Sequence, residues 1–406
     1  MSSLSGTWRA HPHARRAAPV WVTRLLQFDV MLVMGVLAMA AVGAVMVYSA
    51  TRYELLAAGM SPHYWVKKDI VFLGAGAVVM GVLAFIDYHH WEAMWMVVFG
   101  ATFAALLAVM LPGIGTHNLG STRWISLGPF QFQPSAFAPL VFTVVAGALC
   151  AREEGVLSWR TLGAVVALAG LTMGLVAKQP DLGSAIVIGM VVAVILVLGG
   201  ARARQIVFLG IVAAAGAFTV IHFGLLHGYQ ASRLTSFLHP NQHTNSTNYN
   251  LAQSKIDIGQ GGLFGKGLFH DRQTNLQYVP EQHTDFIFTA VGGQLGFVGS
   301  SAVLVLYGLI VVRLWMIARS ASDKFGSLLA IGAFAMFSFS VFENAGMTMG
   351  ITPITGIPLP MMSYGGSADI AFFAAIGIAL NVGSQSRGRL SARPGPTLLA
   401  GPSGPR

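Results

Sequence analysis

The sequence contains few charged residues and a single cysteine. Asp, Glu, Lys and Arg make up 10% of its 406 residues, whereas a soluble globular domain has about 25%. The one thiol, Cys150, cannot form an intrachain disulfide and provides no cysteine cluster for a metal ion. Because Cys150 lies inside an apolar run, we expect it to contribute to helix packing. The composition therefore excludes an ordinary soluble domain and a disulfide-stabilised one.

Long hydrophobic runs dominate the rest of the chain. Hydrophobic residues make up 54% of it, and the mean hydropathy is +0.66. A bilayer core about 30 Å thick requires roughly 20 apolar residues per helix, and a helix satisfies its own backbone hydrogen bonds inside lipid. The runs predict an all-α integral membrane fold with about ten transmembrane helices. Their predicted ranges are 28–50, 66–86, 93–111, 134–151, 161–178, 183–200, 205–226, 284–316, 325–349 and 367–384.

Three segments are predicted along the chain. Residues 1–27 form a polar, basic tail, residues 28–384 form the membrane domain, and residues 385–406 are rich in Arg, Gly, Pro and Ser and are predicted to be disordered. The first apolar run exceeds the roughly 7–15 residues of a signal-peptide core, so we expect it to remain as a helix. An even number of spans puts both termini on one side. The excess of Lys and Arg on that side predicts that both termini of this cell-membrane protein are cytoplasmic.

The net charge of +9 does not indicate nucleic-acid binding. The basic residues are spread between the apolar runs and at the termini, rather than gathered into one basic stripe. Anionic membrane lipids, or an anionic lipid substrate, are the partners that this distribution favours.

The predicted extracytoplasmic face carries a long loop, 227–283, between helices seven and eight. Loops of more than about 15 residues are usually functional or disordered. Asp285 lies where this loop meets the eighth helix, in the motif HTDFIF (His283–Phe288). A carboxylate at a membrane boundary is costly unless it is paired or used, and it can serve as a general base. Local spacing alone favours a helix N-cap over catalysis, and both hypotheses stay open.

Basic side chains accompany Asp285 on the predicted outer face. Charge-assisted hydrogen bonds from Lys and Arg suit a lipid pyrophosphate, although solvation or contact with lipid head groups explains any single one of them. The glycine-rich segment GGLFGKG (Gly261–Gly267) lacks the spacing of an ATP-binding loop, so we expect a turn that presents Lys266. The basic residues concerned are Arg123, Lys178, Arg233, Lys255, Lys266 and Arg272.

Two other carboxylates have structural interpretations. Asp181 follows Pro180 between two predicted helices and is expected to cap the sixth one. Glu343 lies deep in the ninth helix, where a polar contact inside the bundle is favoured over catalysis. The segment 352–367, with its prolines and glycines, predicts irregular backbone of the kind that lines a cavity.

Six motifs, taken in order, resemble the SEDS family of peptidoglycan glycosyltransferases from about residue 28 to 384. Within GIPLPMMSYGGS (Gly356–Ser367), Tyr364 and the Ile357-Pro358 pair resemble the RodA branch, with the division (FtsW) or sporulation branch as the alternative. The motifs are RW with LGPFQFQPS (Arg123 to Ser135), QPDLGSA (Gln179–Ala185), SRLTSFLHP (Ser232–Pro240), GQGGLFGKG (Gly259–Gly267), VPEQHTDFIF (Val279–Phe288) and NAGMTMGITPITGIPLPMMSYGGS (Asn344–Ser367).

The resemblance implies polymerisation of lipid II into glycan strands outside the cell membrane during cell-wall elongation. It makes Asp285 the general base, and assigns the departing pyrophosphate first to Arg233 and Lys266 and then to Arg123 and Lys178. Trp124 would pack near the sugar or hold its loop, with an interfacial anchor as the alternative. Secondary or structural site positions are Asp181, Glu343, His283, Ser363 and Tyr364.

The resemblance also implies partners. These are lipid II, the glycan linked to undecaprenyl pyrophosphate, and a class B penicillin-binding protein whose transpeptidase crosslinks the strands. No ligand cluster in the sequence predicts a metal site, although a divalent cation such as Mg²⁺ or Mn²⁺ would suit the pyrophosphate.

Four positions depart from the family pattern. Ala136 and Pro139 stand where Glu and Lys are usual, and Gly293 and Gln294 stand where acidic residues are common. The loss of both members of a Glu–Lys pair leaves no unpaired charge, which is consistent with a lost structural pair. The alternative is altered or absent activity, and the hypothesis of a scaffold with reduced activity rests on it. A lipid flippase or transporter is the other alternative. Such a protein needs ionisable groups along a path through the bilayer, whereas the candidates here, Glu343 excepted, gather at the outer rim.

Overall fold

The computed structural model describes residues 28–113, 115–118, 121–128, 130–223, 233 and 246–391. In chain order the helices are α1 Val30–Ala57, α2 Tyr64–Phe85, α3 His89–Ala93, α4 Trp95–Val109, α5 Pro134–Ala151, α6 Trp159–Lys178, α7 Leu182–Leu198, α8 Ala203–His222, α9 Ser246–Gly261, α10 Arg272–Asn275, α11 Ile287–Ser320, α12 Lys324–Met349 and α13 Ser367–Ser391. The strands are β1 Gly115–Asn118, β2 Ser121–Leu127 and β3 Phe130–Phe132.

The all-helical, multi-pass membrane fold is confirmed. Seven helices of the described chain are long and apolar enough to cross a bilayer, namely α1, α2, α5, α6, α11, α12 and most of α13. Three shorter apolar helices, α4, α7 and the first part of α8, coincide with the remaining predicted spans. The predicted total of about ten crossings, and the side on which the termini lie, stay predictions.

Burial separates central helices from peripheral ones. Helices α5, α12 and α13 are mostly buried, whereas only 22–28% of the residues in the apolar stretches of α2, α6 and α11 are buried. α12 packs against α5, α7 and α11, and α13 packs along α2. Because the exposed surfaces are apolar, lipid rather than water is the solvent that suits them.

Ion pairs between side chains connect α1, α11 and α13 at one end of the bundle. Asp29 caps α1 through Leu32 N at 3.1 Å and pairs with Arg313 of α11 and, at 3.1 Å, with Arg387 of α13. α13 continues to Ser391, past the predicted end of the membrane domain at residue 384. The predicted boundaries of the terminal tails stay predictions, and residues 1–27 and 392–406 lie outside the described part.

The eighth predicted span, 284–316, lies in a bent helix, α11. Gly296 has φ 65° and ψ −163°, which divides α11 into two helical pieces. The predicted glycine-rich turn packs into this bend, where Phe297 N donates to Gly262 O at 2.8 Å and Gly267 N donates to Gln294 O at 3.1 Å. A Cβ atom at Gly265 would lie 2.0 Å from Gln294 O, so this close approach requires glycine.

A small antiparallel sheet joins α4 to α5, in the order β1-β2-β3. Thr116 pairs with Trp124 between β1 and β2, and Ile125 pairs with Phe132 between β2 and β3. No strand was predicted in this segment from the sequence. It matters for function because β2 carries Arg123 and Trp124, and because β3 leads through Gln133 directly into α5.

Candidate active-site cavity

A cavity of about 470 Å³ lies between the sheet, α2, α5, α7, α13 and the two irregular segments that precede α11 and α13. It brings together residues that are far apart in sequence. The predicted site residues that line it are Arg123, Trp124, Asp181, Arg233, Asp285 and Tyr364.

Asp285 does not cap α11. The N-cap position belongs to Phe286, and no side chain makes a capping hydrogen bond there, so the N-cap hypothesis for Asp285 is wrong. The segment is instead fixed by Asn344 of α12, whose Nδ2 donates to Asp285 O at 2.8 Å and to Ile357 O at 2.7 Å. One buried amide therefore holds the two irregular segments of the cavity in register.

The carboxyl group of Asp285 and the guanidinium group of Arg233 both approach the α-carbon of Gly356. A Cβ atom built on Gly356 would lie 2.9 Å from Asp285 Oδ2 and 3.0 Å from Arg233 Nη1. Arg233 Nη1 also donates to Thr355 O at 2.8 Å. Burial raises the pKa of Asp285, while Arg233 and then Arg123 act to lower it. A carboxylate that is a stronger base than usual, and that cations help to keep ionised, suits proton abstraction.

Asp181 is the N-cap of α7, as the sequence predicted, and it also orders the wall of the cavity. Its Oδ2 accepts hydrogen bonds from Ser135 Oγ at 2.6 Å and Gln133 Nε2 at 2.9 Å. Arg123 Nη1 lies 3.7 Å from Asp181 Oδ1, and its guanidinium stands 4.8 Å from the ring centre of Trp124. Asp181 thus links α7, the start of α5 and the sheet.

Replacing Asp181 with alanine should lower the stability of the chain. The substitution removes a helix cap and leaves the donors of Ser135 and Gln133 without their acceptor. We expect a loss of about 2–4 kcal/mol, because hydrogen bonds to a charged group contribute about 1.5–3 kcal/mol each and are not additive. Thermal unfolding in detergent measures the effect. The control Ser184→Ala removes one donor to Asp181 and should cost about 1 kcal/mol. Equal unfolding temperatures for D181A and the wild type would contradict the role of Asp181.

Aromatic rings form another part of the wall. Tyr364 lies 5.0 Å from Trp65 of α2, and Trp65 lies 5.4 Å from His283, between ring centres. Burial lowers the pKa of His283, which favours its neutral ring. Its carbonyl oxygen accepts from Tyr364 N at 2.9 Å. Ser363, whose Oγ accepts from Leu359 N at 2.9 Å, stabilises the turn before Tyr364.

Trp65 and Lys68 are not among the site residues predicted from the sequence. Both line the cavity, and Lys68 Nζ lies 4.5 Å from the ring centre of Tyr64 and donates to its hydroxyl at 2.8 Å. They precede or begin a predicted membrane helix, where aromatic and basic residues are common as interfacial anchors. Nothing in their local pattern distinguishes a cavity residue from an anchor.

Three predicted residues lie away from this cavity. Lys266 is exposed on the glycine-rich turn, and its backbone N donates to Gly293 O at 2.9 Å. Lys178 is in the last turn of α6. Glu343 is buried in α12 with Thr355 beside its carboxyl group. None of the three is among the described residues that line the cavity, and neither are His283 and Ser363, which lie next to its lining residue Tyr364.

The departures from the family pattern alter one part of the cavity wall. Ala136 and Pro139 line it together with Val187, Met336 and Ser340. A small apolar surface therefore stands where the resemblance predicts a Glu–Lys pair. Within the described residues, no group of three or more His, Cys, Asp or Glu side chains could hold a metal ion.

The fold is that of a polytopic membrane protein. Its cavity resembles that of an enzyme, because a buried carboxylate, Asp285, lies there near Arg233. A family model described as "Cell cycle protein" (FTSW_RODA_SPOVE) matches residues 29–388. The chain belongs to this FtsW/RodA/SpoVE family, which is the SEDS family that the motifs resemble.

Individual relatives cover nearly the whole chain. Stage V sporulation protein E of Bacillus subtilis (strain 168) is 34% identical over 363 residues, which are 88% of this chain and 98% of that protein. Peptidoglycan glycosyltransferase MrdB of Escherichia coli (strain K12) is 34% identical over 361 residues, 88% of this chain and 94% of that protein. Since a sporulation relative and MrdB are equally similar, the assignment to the RodA branch stays a prediction.

Two solved structures share the fold. A chain of a peptidoglycan synthase complex superimposes with a TM-score of 0.74 at 28% identity, covering 88% of this chain and 98% of that one. The rod shape-determining protein RodA of Thermus thermophilus gives a TM-score of 0.64 at 29% identity, covering 88% and 96%.

Proposed function

We propose that this chain is a peptidoglycan glycosyltransferase that polymerises lipid II, with Asp285 as its general base. The observation that carries the proposal is the meeting of Asp285 and Arg233 at Gly356 inside one cavity. Relatives that are 32–34% identical over about nine-tenths of the chain bear the names peptidoglycan glycosyltransferase MrdB and FtsW. This geometry supports the proposal, because the reaction needs a base and a cation close together.

The chemistry follows from the positions of these groups. Asp285 accepts the proton of a sugar hydroxyl on the acceptor, lipid II. The hydroxyl oxygen forms a bond to the anomeric carbon of the donor glycan, and the bond from that carbon to the diphosphate oxygen breaks. The electron pair leaves with undecaprenyl pyrophosphate. Arg233 and Arg123 stabilise the negative charge that develops on the diphosphate.

The aromatic part of the wall gives the sugars a surface. Trp124 and Tyr364 line the same cavity as Asp285, and their rings provide apolar faces with polar edges. Lys68 adds a positive charge from α2, whereas Lys266 and Lys178 do not line the cavity. We therefore assign the pyrophosphate to Arg233, Arg123 and Lys68 rather than to Lys266 and Lys178.

Orientation, partner and cellular role are part of the same proposal. The excess of Lys and Arg near the termini supports cytoplasmic ends, which puts the Asp285 cavity at the outer face of the membrane. A class B penicillin-binding protein is the proposed partner, supported by a similar chain from a complex described as coordinating polymerization and crosslinking. The RodA-like residues around Tyr364 support a role in cell-wall elongation.

A polymerisation assay tests the proposal. The purified chain, mixed with its class B partner and lipid II, should produce glycan polymer, and the partner alone should not. Transport of labelled lipid II across proteoliposomes without any polymer would favour a flippase. If the chain increases crosslinking by its partner yet makes no polymer itself, it is a scaffold, as Ala136 and Pro139 would allow.

A further inference from the structure

A pair of acidic residues, Asp257 and Asp271, lies outside the cavity, in the region of the chain that leads to Asp285. Asp257 of α9 has no exposed surface, and Asp271, the N-cap of α10, is 2% exposed. Gln282, three residues before Asp285, donates through Nε2 to Asp257 Oδ2 at 3.2 Å. These three side chains come from three separate stretches of the same loop region, so their contacts hold those stretches together.

Gly293 of α11 provides the space for this pair. A Cβ atom there would lie 2.3 Å from Asp257 Oδ1 and 3.0 Å from Asp271 Oδ2. Both carboxyl groups therefore approach one point on the α11 backbone, at a position where a side chain would displace them. Two carboxylates this close cannot both ionise without strong repulsion.

The two carboxyl groups differ in their hydrogen bonds. Asp271 Oδ2 accepts from Thr274 N at 3.0 Å and from Thr274 Oγ1 at 2.7 Å. Asp257 Oδ1 is buried with no hydrogen-bond donor among the described residues. Burial, and then the charge of Asp271, raises the pKa of Asp257 to about 8. The neighbours from α11 and from the segment before Asp285, Gly293 and Gln282, carry no charge.

We propose that Asp257 is a positioning residue for Asp285. As a neutral carboxylic acid, it donates a hydrogen bond from Oδ1 to Asp271 and accepts one from Gln282, which fixes the segment that presents Asp285 to the cavity. This role rests on the proposed function of Asp285 as the base. Gly293 leaves the space that both carboxyl groups occupy, one from α9 and the other from the N-cap of α10.

The pH dependence of polymerisation tests this role. Above about pH 8 Asp257 loses its proton and repels Asp271, so the rate of the wild type should fall on the alkaline side. Asp257→Asn keeps the shape, can donate to Asp271 and accept from Gln282, and does not ionise. D257N should therefore retain the neutral-pH rate and lose the alkaline decline. Asp257→Leu should lower kcat by roughly tenfold or more at every pH, with KM less affected.

Two glycine-to-alanine variants, at Gly293 and Gly259, test the same role if D257L does not fold. Gly293→Ala inserts a Cβ against Asp257, whereas Gly259→Ala, on the exposed side of α9, meets no atom within 4 Å. G293A should reduce kcat as D257L does, and G259A should not. An unchanged alkaline decline in D257N, or wild-type kcat in G293A, would overturn the role of Asp257. Polymerisation by an Asp285→Asn variant would instead overturn the base assignment, and with it the target of this positioning.

Discussion

Asp285→Asn should reduce lipid II polymerisation by about 10²–10⁴-fold, which is the contribution expected of a general base. Asparagine keeps the volume and the backbone contact with Asn344, but it cannot accept the hydroxyl proton. Binding of the substrate should be affected less, because Arg233 and Arg123 remain in the cavity. The initial rate of polymer formation with the class B partner, together with binding of fluorescent lipid II, separates these two effects.

The matched control is Asp87→Asn. Asp87 lies outside the cavity, where its Oδ1 contacts His89 Nδ1 at 2.7 Å. D87N makes the same chemical change without touching the site, so its polymerisation rate should stay near that of the wild type. Should D285N polymerise as fast as D87N, the proton must be taken by another group and the mechanism proposed above is wrong.

The membrane helices could be predicted because their cause is local. A run of about 20 apolar residues can satisfy its backbone in lipid only as a helix, and the predicted range 134–151 coincides with α5. The bend in α11 could not be predicted in this way. Gly296 is one glycine among several in the segment, and the bend depends on a distant partner, the turn at Gly262.

The site shows the same division between local and long-range causes. The resemblance to a family pointed to Asp285, Arg233 and Arg123, and the structure brings all three to one cavity. It also pointed to Lys266, but the glycine-rich turn packs against the bend of α11 and leaves that side chain exposed elsewhere. No role was predicted for Asp257 from the sequence. Its position beside Asp271 depends on the absence of a side chain at Gly293, which is 36 positions away.

The N-cap hypothesis for Asp285 is wrong because the N-cap of α11 is the next residue, Phe286. Asp is a favoured cap, and the start of a helix in sequence is uncertain by a few positions. The helix begins at Ile287, so Phe286 takes the cap position and the Asp285 side chain remains available to the cavity. By contrast, the cap predicted at Asp181 is correct, because α7 begins at Leu182 and Asp181 Oδ1 accepts a hydrogen bond from Ser184 N at 3.2 Å.

Gly356→Ala should reduce polymerisation by about 100-fold without unfolding the chain. The added methyl group would lie 2.9 Å from Asp285 Oδ2 and 3.0 Å from Arg233 Nη1, so both side chains must shift from their positions in the cavity. A displacement of about 1 Å in a catalytic group can cost about 10²-fold in rate. Gly356 also has φ +76°, a conformation that costs an alanine about 1–2 kcal/mol.

Gly59→Ala separates the backbone strain from the contact with the site. Gly59 has φ +69°, close to that of Gly356, and a Cβ there meets no atom within 4 Å. Both variants should therefore lose similar stability in thermal unfolding, but only G356A should lose activity. If the two variants polymerise lipid II at the same rate, the contact of Asp285 and Arg233 at Gly356 is not what organises the reaction. A loss confined to G356A ties the rate to the distance between one carboxylate and one guanidinium, because the strain is common to both.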